Sequence, residues 1–146
     1  MTTPNRAQAP NRGWRFDYPG IDAPEDRAGL RISVTGRVEM AGAPQSIRQA
    51  VLLLLTTRRG ERVMRPGYGC DLHKLIFSPN DETTAGLAIH YVRDALETWE
   101  PRIDILRLDA GASREAPERL EITLEYRVRV TRRVESLVFP LNLGGA

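Results

Sequence analysis

The stretch LETWEPRIDIL, residues 96–106, holds the turning point of the chain. Up to Trp99, apolar residues recur at helical spacing: Ala88, Tyr91, Val92, Ala95, Leu96 and Trp99 form one stripe, with Arg93, Asp94 and Glu97 opposite. From Arg102 onward the period shortens to the alternation of a strand. Glu100 and Pro101 stand between. Proline disfavours helical backbone at the residue before it, so the helix should stop at Glu100 and a strand should depart from Arg102. The residues alone leave two readings of Glu100-Pro101-Arg102 open. One is a plain helix stop with solvated charges. The other is a rigid docking point that presents an acid and a base beside Trp99.

Working outward, Asn80 or Asp81 is placed to cap the helix over about Glu82 to Trp99. The strand after Arg102 should reach Leu108, and DAGASREAPER then reads as an exposed, mobile loop. LEITLEYRVRV, residues 120–130, alternates strongly. Leu120, Ile122, Leu124, Tyr126, Val128 and Val130 lie on one face, and Glu121, Thr123, Glu125, Arg127 and Arg129 on the other. VESLVFPL, residues 134–141, should return as a hairpin partner.

Upstream, GERVMRPGYGCDLHKLIF, residues 60–77, is turn-rich and leads to a short helix capped by Asp71, with Leu72, Leu75 and Ile76 as its apolar face. Gly67 and Gly69 lack phosphate-loop spacing and permit a tight turn around Tyr68. SIRQAVLLLLTT begins with a capping-box pair, Ser46 and Gln49, and should run to about Arg58–Arg59 before Gly60. This helix is apolar almost all round, so it needs cover on more than one side, part of it from another chain. LRISVTGRVEM, residues 30–40, reads as an early strand. Residues 1–13 read as a disordered tail and 14–29 as an extended arm. The expected organisation is an arm over 1–29 and one domain over 30–146. Its class is α+β: a small mixed or antiparallel sheet of about four strands packed with roughly two or three helices.

Composition narrows the function. Of 146 residues, 41% are apolar and 27% charged, and formal charge is +2. That is ordinary for a soluble domain, and no run of one sign suggests non-specific nucleic-acid binding. Cys70 is the single cysteine, which excludes an intrachain disulfide. The polar N-terminus lacks a secretory signal, and the longest apolar run, AVLLLL at 50–55, is far too short to span a bilayer. Assembly in the cytoplasm is the expectation.

Catalytic constellations are thin. Glu97, Glu100 and Asp104 could supply the paired carboxylates of a glycosidase, but carboxylates at a helix end are usually solvated or ion-paired. Cys70 and His73 have C-x-x-H spacing, yet one cysteine and two histidines cannot close a structural zinc site without carboxylates. Cys70 reads as a buried small hydrophobe and His90 as an exposed helix residue. Arg58-Arg59 and Arg132-Arg133 could touch nucleic acid but lack interleaved aromatics. No metal, cofactor or catalytic residue is expected.

GERVMRPGYGCDLHKLIF, then WEPRI, the LEITLEYRV strand and the LVFPL terminus agree in order and spacing with a known family. Together they resemble the baseplate wedge proteins of contractile tails over about residues 30–143. That family takes in the small wedge subunit of T-even phages, the TssE-type component of type VI secretion and, most similar, relatives in extracellular contractile injection systems. The resemblance implies a structural subunit in sixfold copies and not an enzyme, despite the family's older "lysozyme" label. A peptidoglycan-cleaving enzyme is the alternative. The resemblance further implies that Trp99, Glu100, Pro101 and Arg102 dock on larger wedge proteins. It also implies that the strands bearing Glu121, Thr123, Glu125, Arg127 and Arg129 face the sheath protein. There the edges of 120–130 and 134–141 would template the first sheath ring by strand addition.

Overall fold

The computed structural model describes residues 13–17, 21, 29–30, 34–37, 40–41 and 43–144. The expected tail over 1–13 and most of the 14–29 arm lie outside the described residues. By contacts the chain divides into two compact units, Met1–Ala50 and Val51–Ala146.

Among the described residues, the first unit holds two short antiparallel pairs. Strand β1 (Gly13–Trp14) pairs with β4 (Met40–Ala41), and β2 (Phe16–Asp17) pairs with β3 (Gly29–Leu30). The strand expected over 30–40 is not continuous, because residues 34–36 form a turn in which Gly36 adopts φ +77°. Helix α1 (Ala43–Thr56) starts before Ser46, so the expected capping box does not form. Gln49 instead uses its side-chain oxygen to accept from the Phe16 N–H at 2.7 Å.

Helix α1 also stops short of Arg58. The hydroxyls of Thr56 and Thr57 donate to the carbonyls of Leu52 and Leu53 at 2.8 and 2.6 Å, satisfying acceptors that a further turn would have used. The Thr57 carbonyl then accepts from Cys70 N–H at 2.8 Å. Val51, Leu52, Leu54 and Leu55 are buried, and Leu53 alone of this run is exposed, at 39%. The cover that the apolar helix requires thus comes largely from its own chain.

In the second unit, a 3-10 turn over Asp71–Leu75 buries Leu72 and Leu75. Asp71 lies inside it, with Cys70 at the cap position and no side-chain cap bond, so Asp71 does not act as the expected N-cap. Helix α2 (Glu82–Trp99) is capped by Asp81, whose carboxylate accepts from Thr84 N–H at 2.9 Å. That bond holds the Asp81 carboxyl below the usual carboxylate range. Ala88, Val92, Ala95 and Leu96 are the buried stripe, and the helix packs on β5 (Ile103–Ala112).

Strands β5, β6 (Arg119–Val128) and β7 (Val134–Asn142) form one antiparallel sheet in sequence order. Strand β5 continues to Ala112, so the first part of the expected loop is strand. Ser113 N–H closes on the Arg119 carbonyl, and the Asn80 amide donates to the carbonyls of Pro117 and Arg119 at 2.7 and 3.1 Å. The loop is pinned. An irregularity in pairing between Ile105 and Arg107 leaves Leu106 48% exposed. Strand β6 alternates as its sequence dictates, with Leu120, Ile122, Leu124, Tyr126 and Val128 buried. Val130 does not join them: the strand has ended, and the residue is 80% exposed.

Candidate functional site: the corner between helix and sheet

Helix α2 ends as proline chemistry requires. Glu100 has φ −126° and ψ 77°, outside the helical region, and its N–H closes the last turn on the Leu96 carbonyl at 2.9 Å. Pro101 is exposed, and β5 departs two residues later. This corner brings the four candidate docking residues together, but it does not present all of them.

Glu100 turns inward and is only 6% exposed. Its two oxygens are taken by one guanidinium: Arg102 Nε to Oε1 at 2.6 Å and Arg102 Nη2 to Oε2 at 2.9 Å. A planar fork matching both oxygens of a carboxylate is the geometry that arginine offers and lysine cannot. The Glu100 bonds raise the Arg102 pKa further above its ordinary value. Arg102 keeps a third of its side chain in solvent. The exposed charge of the corner is therefore the base, and the acid orients it.

Trp99 is half-buried beneath the loop before the 3-10 turn. The Tyr68 ring meets it edge-on, centroids 5.5 Å apart. Arg62 lies over Tyr68, its guanidinium carbon 4.5 Å from the ring centroid. Burial is the main influence raising the Tyr68 pKa, with the nearby Glu100 charge adding to it and Arg62 and Arg65 opposing. Gly67 leaves room for Trp99, whose ring would stand 3.5 Å from an added Cβ. Gly69 is more constrained. It has φ +136°, and a Cβ there would sit 2.6 Å from the Thr57 carbonyl oxygen. Gly69, which looked like a turn residue, is required by a close approach of backbone to backbone, whereas Gly67 faces only the Trp99 ring at ordinary contact distance.

Of the expected sheath-facing residues, Glu121, Thr123, Glu125 and Arg127 lie on the β6 face away from the core, and Arg129 lies in the turn just after the strand. Glu121, Arg127 and Arg129 are exposed, and Thr123 and Glu125 are partly covered. Arg129 and Arg127 converge on Asp104 of β5 at 2.8 and 3.3 Å. Those bonds, the one from Arg129 first, hold the Asp104 carboxyl below the usual range. Strand β6 is central and paired on both sides, so it offers no edge to a further strand. Among the described residues, β5 and β7 are the edges of this sheet.

The carboxylates drafted for glycosidic chemistry are not arranged for it. Glu100 is forked to Arg102, Asp104 is clamped by arginines and lowered, and Glu97 is exposed. A cavity of about 190 Å³ is lined by Leu55, Cys70, His73, Ile76, Phe139 and Leu141 among others, and an open one of about 200 Å³ on the sheet by Asp109 and Glu121; Glu97, Glu100 and Asp104 line neither. Cys70 is buried, as its reading as a small hydrophobe requires. Its thiol donates to the Tyr91 carbonyl at 3.5 Å, and burial pushes its pKa up to about 11. His73 Nδ1 is buried and has no hydrogen-bond partner among the described residues. His90 is exposed.

A family model described as baseplate wedge protein gp25 matches residues 41–133. The baseplate wedge protein gp25 of Enterobacteria phage T4 is 35% identical over 65 residues, 44% of this chain and 49% of that one. The matched stretch thus spans about half the length of that relative. A solved Geobacter sulfurreducens structure, named for a tail lysozyme, is 42% identical with TM-score 0.67, covering 73% of this chain and 96% of that one. A chain of the anti-feeding prophage baseplate shares the fold at TM-score 0.58 and 16% identity, over 91% of this chain and 87% of that one.

Proposed function

Since this chain belongs to the family of the baseplate wedge protein gp25, we propose that it works as a structural wedge subunit in the baseplate of a contractile tail or injection system. In this reading it joins larger wedge proteins to the first sheath ring. The observation that carries the docking role is the corner at Glu100 and Arg102. A buried carboxylate fixes a part-exposed guanidinium beside an exposed proline and a half-buried tryptophan. Such a group meets a partner with little side-chain entropy left to lose. Trp99, Pro101 and Arg102 make the contact, and Glu100 acts from beneath.

The sheath-facing role falls to the sheet. Strand β7 pairs with β6 alone among the described residues, and its outer edge is suited to accept a strand. The Glu121, Thr123, Glu125, Arg127 and Arg129 face then lies beside the added strand. The subunit acts without turnover or cofactor, is assembled in the cytoplasm and becomes part of the finished particle in sixfold copies. Among the described residues, no helix is long and apolar enough to cross a membrane.

The test is co-purification from the native host with tagged wild type and a Pro101→Ala/Arg102→Lys variant, tail proteins being identified by mass spectrometry. Wedge and sheath proteins should accompany wild type, and wedge proteins should be depleted from the variant. Recovery of no tail protein with wild type would overturn the assignment. Glycan release from purified peptidoglycan, abolished by Glu100→Gln, would favour the enzyme.

A further inference from the structure

The loop over 60–70 carries a surface that the wedge reading leaves unused. Val63 and Met64 stand at its tip, 94% and 91% exposed. Two adjacent aliphatic side chains so fully in water contribute nothing to the isolated fold. They are not displayed by default of structure beneath them. The Gly60 N–H donates to the Pro66 carbonyl at 2.7 Å, and the Tyr68 N–H to the Arg65 carbonyl at 3.1 Å. Tyr68 in turn rests edge-on against Trp99. The base of the loop is braced, and the tip is held out.

Charge flanks the tip on both sides. Arg62 lies on the Tyr68 ring, and Arg65 follows Met64 directly. Neither has a carboxylate within ion-pair distance among the described residues, whereas nearby Arg59 is held by Asp94 at 2.6 Å and Asp71 at 3.4 Å. The one acid of the loop, Glu61, is turned to the backbone, accepting from Arg58 N–H at 2.9 Å. The tip therefore shows an aliphatic pair between two arginines that no acid among the described residues neutralises.

We propose that residues 61–66 are an interaction surface for an acidic protein segment, which seats Val63 and Met64 in an apolar pocket and pairs carboxylates with Arg62 and Arg65. The surface adjoins the Trp99–Arg102 corner through Tyr68 but does not depend on that corner's docking role. Arginine's planar fork suits carboxylates. A nucleic-acid backbone would answer the arginines but has no pocket for two aliphatic groups, and the ring that could stack on a base already carries Arg62. An anionic bilayer would gain little from so short an apolar tip.

The experiment selects binders of the full-length chain from a displayed random-peptide library at low salt. Recovered peptides should interleave Asp or Glu with aliphatic residues. Their binding should weaken at least about tenfold on Arg62→Ala with Arg65→Ala, and again on Val63→Ser with Met64→Ser. Melting curves of both variants should overlay that of wild type. Peptides that bind the variants as well as wild type would overturn the proposal. So would a library yielding no loop-dependent binder, or a DNA duplex or phosphatidylserine vesicle bound more tightly than the best peptide. The probe contains no tail protein, so failure of the co-purification above would sink the wedge reading and leave this one standing.

Discussion

Replacing Arg102 by Ala tests whether the corner is built as described. The substitution removes both bonds to Glu100, at 2.6 and 2.9 Å, and leaves a carboxylate that is only 6% exposed without its counter-charge. Breaking a fully buried ion pair by deleting one partner costs about 3–5 kcal/mol. Here the arginine is 33% exposed, so water can reach part of the pair, and the discounted expectation is about 2–3 kcal/mol. For a domain of this size that is a fall in melting temperature of roughly 6–12 °C. Differential scanning calorimetry of the isolated chain measures it directly. Arg102→Lys should recover only part of the loss, because an ammonium cannot bond both oxygens in plane. A double replacement, Glu100→Leu with Arg102→Leu, should be less damaging than Arg102→Ala alone, since it leaves no buried charge. A fall below about 2 °C for Arg102→Ala would place the pair with exposed surface pairs worth about 0–1 kcal/mol. The inward role of Glu100 would then be wrong. Loss of partner binding in this variant must be judged beside its melting curve.

The remaining expectations concern other parts of the fold. Gly69→Ala should destabilise by about 3 kcal/mol or more, since its Cβ would meet the Thr57 carbonyl at 2.6 Å at a φ of +136°, whereas Gly60→Ala, with open space around it, should cost about 1 kcal/mol; urea denaturation separates them. The lowered Asp81 and Asp104 carboxyls contribute stability that is fully present above the unfolded carboxylate pKa of about 4 and lost as pH falls through their lower folded values. Melting temperature should therefore hold steady from pH 7 to about 5 and drop below about 4, with a smaller drop in an Asp81→Asn, Asp104→Asn variant. Cys70, buried and with its thiol raised to about 11, should resist iodoacetamide at pH 8 until urea unfolds the chain; rapid native alkylation would contradict its burial.

What was legible in the sequence was local. Pro101 acts on the residue beside it, so the stop at Glu100 needed no knowledge of tertiary structure. The β6 alternation is a property of one strand, and its buried residues followed from period two. The Asp81 cap likewise sits a few residues from its target. The destination of Glu100 was not legible. Whether an acid at a helix end points to solvent or to an arginine two residues on depends on the sheet that carries that arginine away. Thr56 and Thr57 shortened α1 through hydroxyl bonds that helical patterning does not weigh. Strand β5 outran its expected end because pairing with β6 supplied what the small and polar residues Asp109–Ala112 lacked on their own. The aromatic contact of Tyr68 with Trp99 joins residues far apart in sequence, so the loop and corner became one surface only in three dimensions.

The bond from Cys70 N–H to the Thr57 carbonyl and the close pass of Gly69 have a consequence for descent with change. They close the chain into a loop whose two ends meet at one fixed point. The loop is held at that point, at the Trp99 contact and by the backbone bonds of Gly60 and Tyr68, while Val63 and Met64 hang outside it. Residues at the tip can be exchanged, lengthened or recharged without disturbing a helix or a strand. A scaffold arranged in this way keeps the residues that close the loop apart from the residues that meet its surroundings.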